Sequence, residues 1–121
     1  MKVLLTGATG FVGKQLCKAL ALQGHELVVL TRSAAAKSSI PAPHTAIECA
    51  DISDLSNVHD TSFLEGLDAV IHLAGESIVG KRWSATFKEK IHKSRVQGTQ
   101  SLIELLGRVK GPKPKVFITA S

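Results

Sequence analysis

The segment Thr6-Gly7-Ala8-Thr9-Gly10-Phe11-Val12-Gly13 restricts the possible folds of this chain more than any other stretch. It follows a run of β-formers, Lys2–Thr6, and opens a segment with helical periodicity. A strand that ends in glycines and turns directly into a helix is the setting a dinucleotide-binding loop requires. Glycine allows a sharp turn and lets the backbone approach a pyrophosphate closely. A last glycine lets the helix pack tightly. The unpaired N–H groups and dipole of a helix starting near Phe11 then face negative phosphate. The spacing is Gly-x-x-Gly-x-x-Gly, with Ala8 where the commoner Gly-x-Gly-x-x-Gly has its second glycine. Plain turn glycines are the alternative, and the flanking strand and helix weigh against it. Gly10 is expected to face the pyrophosphate and to need a backbone that a β-branched residue resists.

The rest of the chain repeats the alternation. Phe11–Gln23 places Val12, Leu16 and Leu20 on one helical face, with Gly24 at the C-terminal cap. Glu26–Thr31 reads as a second buried strand and Thr45–Cys49 as a weaker third. The stretch from Ser33 to Ser39 reads as a loop, and Asp54–Leu67 as a short, irregular helix. Asp68–Leu73 is a fourth strand. Trp83, Phe87 and Ile91, then Leu102, Leu105, Leu106 and Val109, mark a long helix ending near Gly107, before Pro112 and Pro114. Lys115–Thr119 is a fifth strand. Continuous apolar strands between helices predict an α/β fold with a parallel sheet covered on both faces. Right-handed crossovers favour a Rossmann-type doubly wound sheet of about five strands in the order 3-2-1-4-5. The 121 residues suit one domain, since a domain takes roughly 100–200.

Composition narrows the class. Hydrophobic residues at 44% and charged residues at 21% are globular values and exclude a disordered chain. No apolar run approaches the roughly 18 residues of a membrane span. Thr6 and Gly7 interrupt the first apolar run too early for a signal-peptide core. Cys17 and Cys49 lack metal spacing and read as buried thiols in a reducing cytoplasm. The net charge of +5 gathers between Lys81 and Arg95 and in the tail from Arg108 to Lys115. Nucleic acid is disfavoured, because no binding signature accompanies the charge. A phosphate-bearing ligand and a solvated helix face both remain.

The end of the second strand bears on cofactor choice. An NAD-specific site places Asp or Glu about 20 residues beyond the glycines, on the ribose 2′-OH. Here the sequence is Leu30-Thr31-Arg32-Ser33. Arg32 suits a 2′-phosphate and can stack on adenine; it can also be a solvated loop cation. Lys14 could add charge. NADP is therefore expected over NAD. Asp51 has two readings, an acceptor for the adenine amino group or a turn residue beside Ser53 and Asp54. In His72-Leu73-Ala74-Gly75 the small residues let a cofactor lie against the backbone. His72, at the tail of a buried strand, reads as structural rather than as a base.

Together, Thr6-Gly7-x-x-Gly10-x-x-Gly13, Asp51-Ile52 and Leu73-Ala74-Gly75 resemble the extended and atypical short-chain dehydrogenase/reductases. Ala74-Gly75-Glu76-Ser77-Ile78, Lys81-Arg82-Trp83 and Ser94-Arg95-Val96-x-Gly98-Thr99 resemble the NAD-dependent epimerase/dehydratase branch described as cell-division-inhibitor-like epimerases. The resemblance implies that Gly7, Gly10 and Gly13, with the backbone of Thr9, Phe11 and Val12, hold the pyrophosphate. It implies Asp51 and Ile52 beside adenine, and Leu73, Ala74 and Gly75 along the ribose. It puts a catalytic Ser or Thr at the end of the fifth strand, which is Ser121 or, second, Thr119. Relatives often carry Asn where Arg95 stands, so Arg95 either substitutes in that network or marks the branch.

The family's Tyr-x-x-x-Lys pair has no counterpart, since the chain contains no tyrosine. The expectation is an N-terminal cofactor-binding portion of a longer pattern, binding NADP(H) without turning over a small-molecule substrate. The rival readings are a non-enzymatic NADP-binding sensor and a basic interaction module built on Lys81–Arg95. If the chain ends at Ser121, the apolar fifth strand is a sheet edge, and a homo-oligomer, a strand exchange or poor solubility is expected.

Overall fold

The structure, a computed structural model, describes residues 1–8, 10–32, 44–48, 52, 54–74 and 84–120. The elements run β1 (Lys2–Thr6), α1 (Phe11–Leu22), β2 (Glu26–Thr31), β3 (His44–Glu48), a 3-10 turn (Ser62–Leu64), β4 (Ala69–His72), α2 (Ala85–Gly107) and β5 (Val116–Thr119). They form one sheet in the order β3-β2-β1-β4-β5, and every pairing is parallel. This is the expected doubly wound arrangement with five strands.

The two-residue period of a strand divides the core into two layers. Leu4, Val28, Leu30 and Val70 face Leu102, Leu105 and Leu106 at the C-terminal end of α2 and Val109 just beyond it, with Leu55, Leu64 and Leu67 filling in. Val3, Leu5, Leu27, Val29 and Ala69 face the other way, onto Cys17, Leu16, Leu20 and Ala21 of α1. With both faces covered, the central strands read as unbroken apolar runs.

Three expectations shift. Val12 does not lie on the inward face of α1; it is 63% exposed. The buried positions are Gly13 and Cys17, because α1 rests on its glycine. β3 occupies His44–Glu48 rather than Thr45–Cys49; Cys49, Trp83 and the loop from Ser33 to Ser39 lie outside the described residues. Asp54–Leu67 forms no irregular helix beyond the single 3-10 turn. Asp54 Oδ1 accepts from the amide and hydroxyl of Ser56, and Asp60 Oδ1 does the same with Ser62. Such local side-chain bonds compete with helical ones and favour turns.

α2 starts where Ser84 Oγ accepts from Phe87 N at 3.0 Å, an N-cap. It ends at Gly107, and Lys113 Nζ donates to the carbonyls of Leu106 and Val109 at 3.1 and 2.5 Å. Arg108 donates to the carbonyls of Val58 and Leu55 at 2.8 and 3.1 Å. Part of the basic tail therefore satisfies backbone carbonyls.

Candidate functional site

The β1–α1 loop lies at the carboxyl end of the sheet, where the chain order reverses between β1 and β4. Open α/β sheets bind ligands in the crevice at this point. Gly7 has φ +76°, and a Cβ there would come within 2.8 Å of Ala74 N and of the Leu73 carbonyl carbon. A Cβ on Gly13 would overlap the Gly7 carbonyl oxygen and lie 2.8 Å from Ala8 Cα. Gly10 differs. Its φ of −75° and ψ of 173° are open to any residue, and among the described residues a Cβ would meet the Gly7 oxygen alone, at 3.5 Å. The left-handed backbone considered for Gly10 belongs to Gly7, because that residue makes the sharp turn beneath the β4 end.

Gly10 is also the N-cap of α1, with no side chain on the helix's first amides and no acid in its first turn. Those N–H groups are left to a ligand or to water. Phe11, 85% exposed, and Val12 flank them with side chains turned away from the core.

The glycine loop is seamed to the end of β4. Leu73 N donates to Thr6 O at 3.1 Å and Ala74 N donates to Thr6 Oγ1 at 3.2 Å. Thr6 Oγ1 also lies 2.6 Å from His72 Nδ1, and both residues are buried. Across the next strand, Ala120 N donates to His72 O at 3.2 Å, while Arg95 Nη1 donates to Ala120 O at 3.1 Å. Arg95 thus ties α2 to the end of β5. Burial, then the positive Arg95 guanidinium, push the His72 imidazole below its ordinary pKa and keep it neutral near pH 7. A structural His72 is what the strand position suggested.

Thr6 was missed by sequence reasoning as a support of the site. The signal for it was a hydroxyl on the last strand residue before a glycine.

Arg32 follows β2 directly and is exposed. Lys14 is exposed on the first turns of α1. Ile52 is half-buried against the α2-side core, and Leu73 against the α1-side core. Thr9, Asp51, Gly75 and Ser121 lie outside the described residues. Among the described residues no group of three or more His, Cys, Asp or Glu could hold a metal ion. No helix is long and apolar enough to cross a membrane. An open groove of about 570 Å³ lies along α2, lined by residues that include Asp54, Ser56, Ser101 and Arg108. Several of its polar groups are engaged in local structure: Ser101 Oγ accepts from Leu55 N at 2.8 Å, and Asp54 and Arg108 make the bonds given above.

A parallel 3-2-1-4-5 sheet with a glycine turn feeding its first helix defines an α/β protein of the Rossmann type. The profile of the NAD dependent epimerase/dehydratase family matches residues 3–121, and the chain belongs to that family. Epimerase family protein SSP1921 of Staphylococcus saprophyticus is 36% identical over 118 residues, covering 98% of this chain and 36% of that protein. The crystal structure of human epimerase family protein SDR39U1 (isoform 2) with NADPH superposes with a TM-score of 0.69 at 30% identity, over 98% of this chain and 36% of that one. UDP-glucose 4-epimerase of Thermotoga maritima, solved with UDP-glucose, shares the fold, with a TM-score of 0.75 at 24% identity over 100% of this chain and 38% of that one. The chain therefore spans about a third of the length of these relatives.

Proposed function

We propose that residues 1–121 are a cofactor-binding domain of an epimerase- or reductase-type enzyme and that the cofactor is NADP(H), with NAD(H) second. The observation that carries this reading is the loop: a left-handed Gly7 under Ala74, a Gly13 without room for a Cβ, and an open Gly10 before uncapped amides. These residues fit a pyrophosphate, which needs close backbone and free N–H donors. The bound nicotinamide would supply or accept a hydride. Phe11, Val12 and Gly13 amides would hold the pyrophosphate, with Thr9 in the same loop. Arg32 would hold the 2′-phosphate. Asp51 and Ile52 are assigned to adenine, and Leu73, Ala74 and Gly75 to the ribose. Arg95 orders the β5 end, where Ser121 would meet substrate. The NADPH-bound human relative supports the cofactor choice. A buried, free Cys17 accords with a reducing cytoplasm.

Substrate is a proposal of class only, a small carbonyl, hydroxyl or sugar-nucleotide compound. No tyrosine lies within these 121 residues, so this chain is expected to bind cofactor without turnover. Calorimetry with NADPH and NADH tests the reading. The wild type should prefer NADPH. Arg32→Ala should lose about 1.5–3 kcal/mol toward NADPH, as for one charge-assisted bond, and little toward NADH. Equal wild-type affinities for the two would overturn the NADP assignment.

A further inference from the structure

We infer that His72 is a positioning residue for the cofactor loop, acting through the Thr6 hydroxyl. The inference rests on the dinucleotide reading above and goes beyond it to a residue that touches no ligand.

Thr6 and His72 are register partners on β1 and β4, with side chains on the same face of the sheet. A hydroxyl has one proton and two lone pairs. The Ala74 amide takes a lone pair of Thr6 Oγ1 at 3.2 Å. His72 Nδ1, at 2.6 Å, fixes the remaining orientation. Without it, the buried hydroxyl would lack its second partner, which is costly there. The Thr6 side chain would then no longer be held in the rotamer that keeps Oγ1 on the Ala74 amide.

That amide sits in a tight place. The missing Cβ of Gly7 would lie 2.8 Å from it, so the loop and the β4 end already touch. Any widening of the seam moves both walls of the crevice. The imidazole faces Gly98 of α2, where even a Cβ would sit at an ordinary contact distance, 3.8 Å from Cε1 and Nε2, and its centroid lies 6.5 Å from that of the tilted Phe117 ring of β5. The ring sets the hydroxyl, and the hydroxyl sets the seam.

The test compares two amides of similar polarity. His72→Asn places a polar atom near the Nδ1 position, whereas His72→Gln places it near Nε2, away from Thr6. NADPH fluorescence titration is combined with hydrogen exchange at the Ala74 amide and with thermal melting. His72→Asn should keep near wild-type affinity and slow Ala74 exchange. His72→Gln should weaken NADPH about tenfold, the scale of one lost hydrogen bond, and speed Ala74 exchange. Thr6→Val should match His72→Gln, the double variant should be no weaker than either single one, and Thr6→Ser should rescue. Asn and Gln variants that both bind and exchange like the wild type would overturn the inference alone. A wild type that binds no dinucleotide would overturn the cofactor reading and this inference with it.

Discussion

A Cβ on Gly13 would overlap the Gly7 carbonyl oxygen, whereas one on Gly10 would find open space beyond 3.5 Å. The two glycines therefore predict opposite phenotypes. Gly10→Val should keep the circular dichroism spectrum and melting temperature close to wild type, yet abolish NADPH binding, because its side chain projects where the pyrophosphate would lie. Gly13→Ala should lower stability by about 1–3 kcal/mol, the scale of an overpacked contact, read in urea melts. Retained affinity in folded Gly10→Val would reduce the loop to a turn. His72 adds a pH signature. Its folded pKa is pushed below the ordinary value of roughly 6.5, so the unfolded chain binds the proton more readily. The stabilising contribution is full above pH ~6.5 and is lost as pH falls from there through the folded pKa. Among the described residues the charged group acting on the ring is Arg95; Thr6, Gly98 and Phe117 are neutral. Melting between pH 7 and 5 should steepen in the wild type and flatten in His72→Asn; equal slopes would remove His72 as the source.

The second helix shows how periodicity becomes packing. Leu102 and Leu105 are fully buried, while Ile103 between them is 56% exposed. Leu105→Ala should cost about 2–5 kcal/mol, as for a large core side chain whose cavity does not collapse. Ile103→Ala should stay within about 0.5 kcal/mol, the range of ordinary surface changes. Chemical denaturation of both variants checks the contrast, and comparable losses would mean that Ile103 is covered in solution. The long-helix pattern was readable because Leu102, Leu105, Leu106 and Val109 recur at helical spacing. The Asp54–Leu67 stretch was not, because Asp–Ser turns give no hydrophobic period and its leucines serve the core without a helix.

Among the described residues β5 pairs on one side only, with β4, and Val116, Phe117 and Ile118 are 47%, 39% and 52% exposed. An apolar strand with open backbone groups is a template for pairing. Light scattering of residues 1–121 by themselves should show association that grows with concentration, and Ile118→Lys should reduce it. A monomer over the whole range in the wild type would refute the expectation. Across the molecule, Thr6, His72, Arg95 and Ala120 join β1, β4, α2 and β5 at the carboxyl end of the sheet.

The fold was legible in the sequence because apolar strand runs, helical spacing and a glycine turn are local patterns, and right-handed crossovers leave few ways to order five parallel strands. The glycine loop between β1 and α1 was legible for the same reason: Gly7, Gly10 and Gly13 lie within seven residues. That Gly7 bends beneath the end of β4 was decided by the approach of Leu73 and Ala74, the latter 67 positions downstream, and only the folded loop set Gly13 against the Gly7 carbonyl while leaving Gly10 open. The link from Thr6 to His72, and from Arg95 to Ala120, likewise needed the folded chain. Hydrogen bonds between residues 66 and 25 positions apart leave no periodic trace; they exist because parallel pairing sets β1 beside β4 in register and lays α2 across the strand ends.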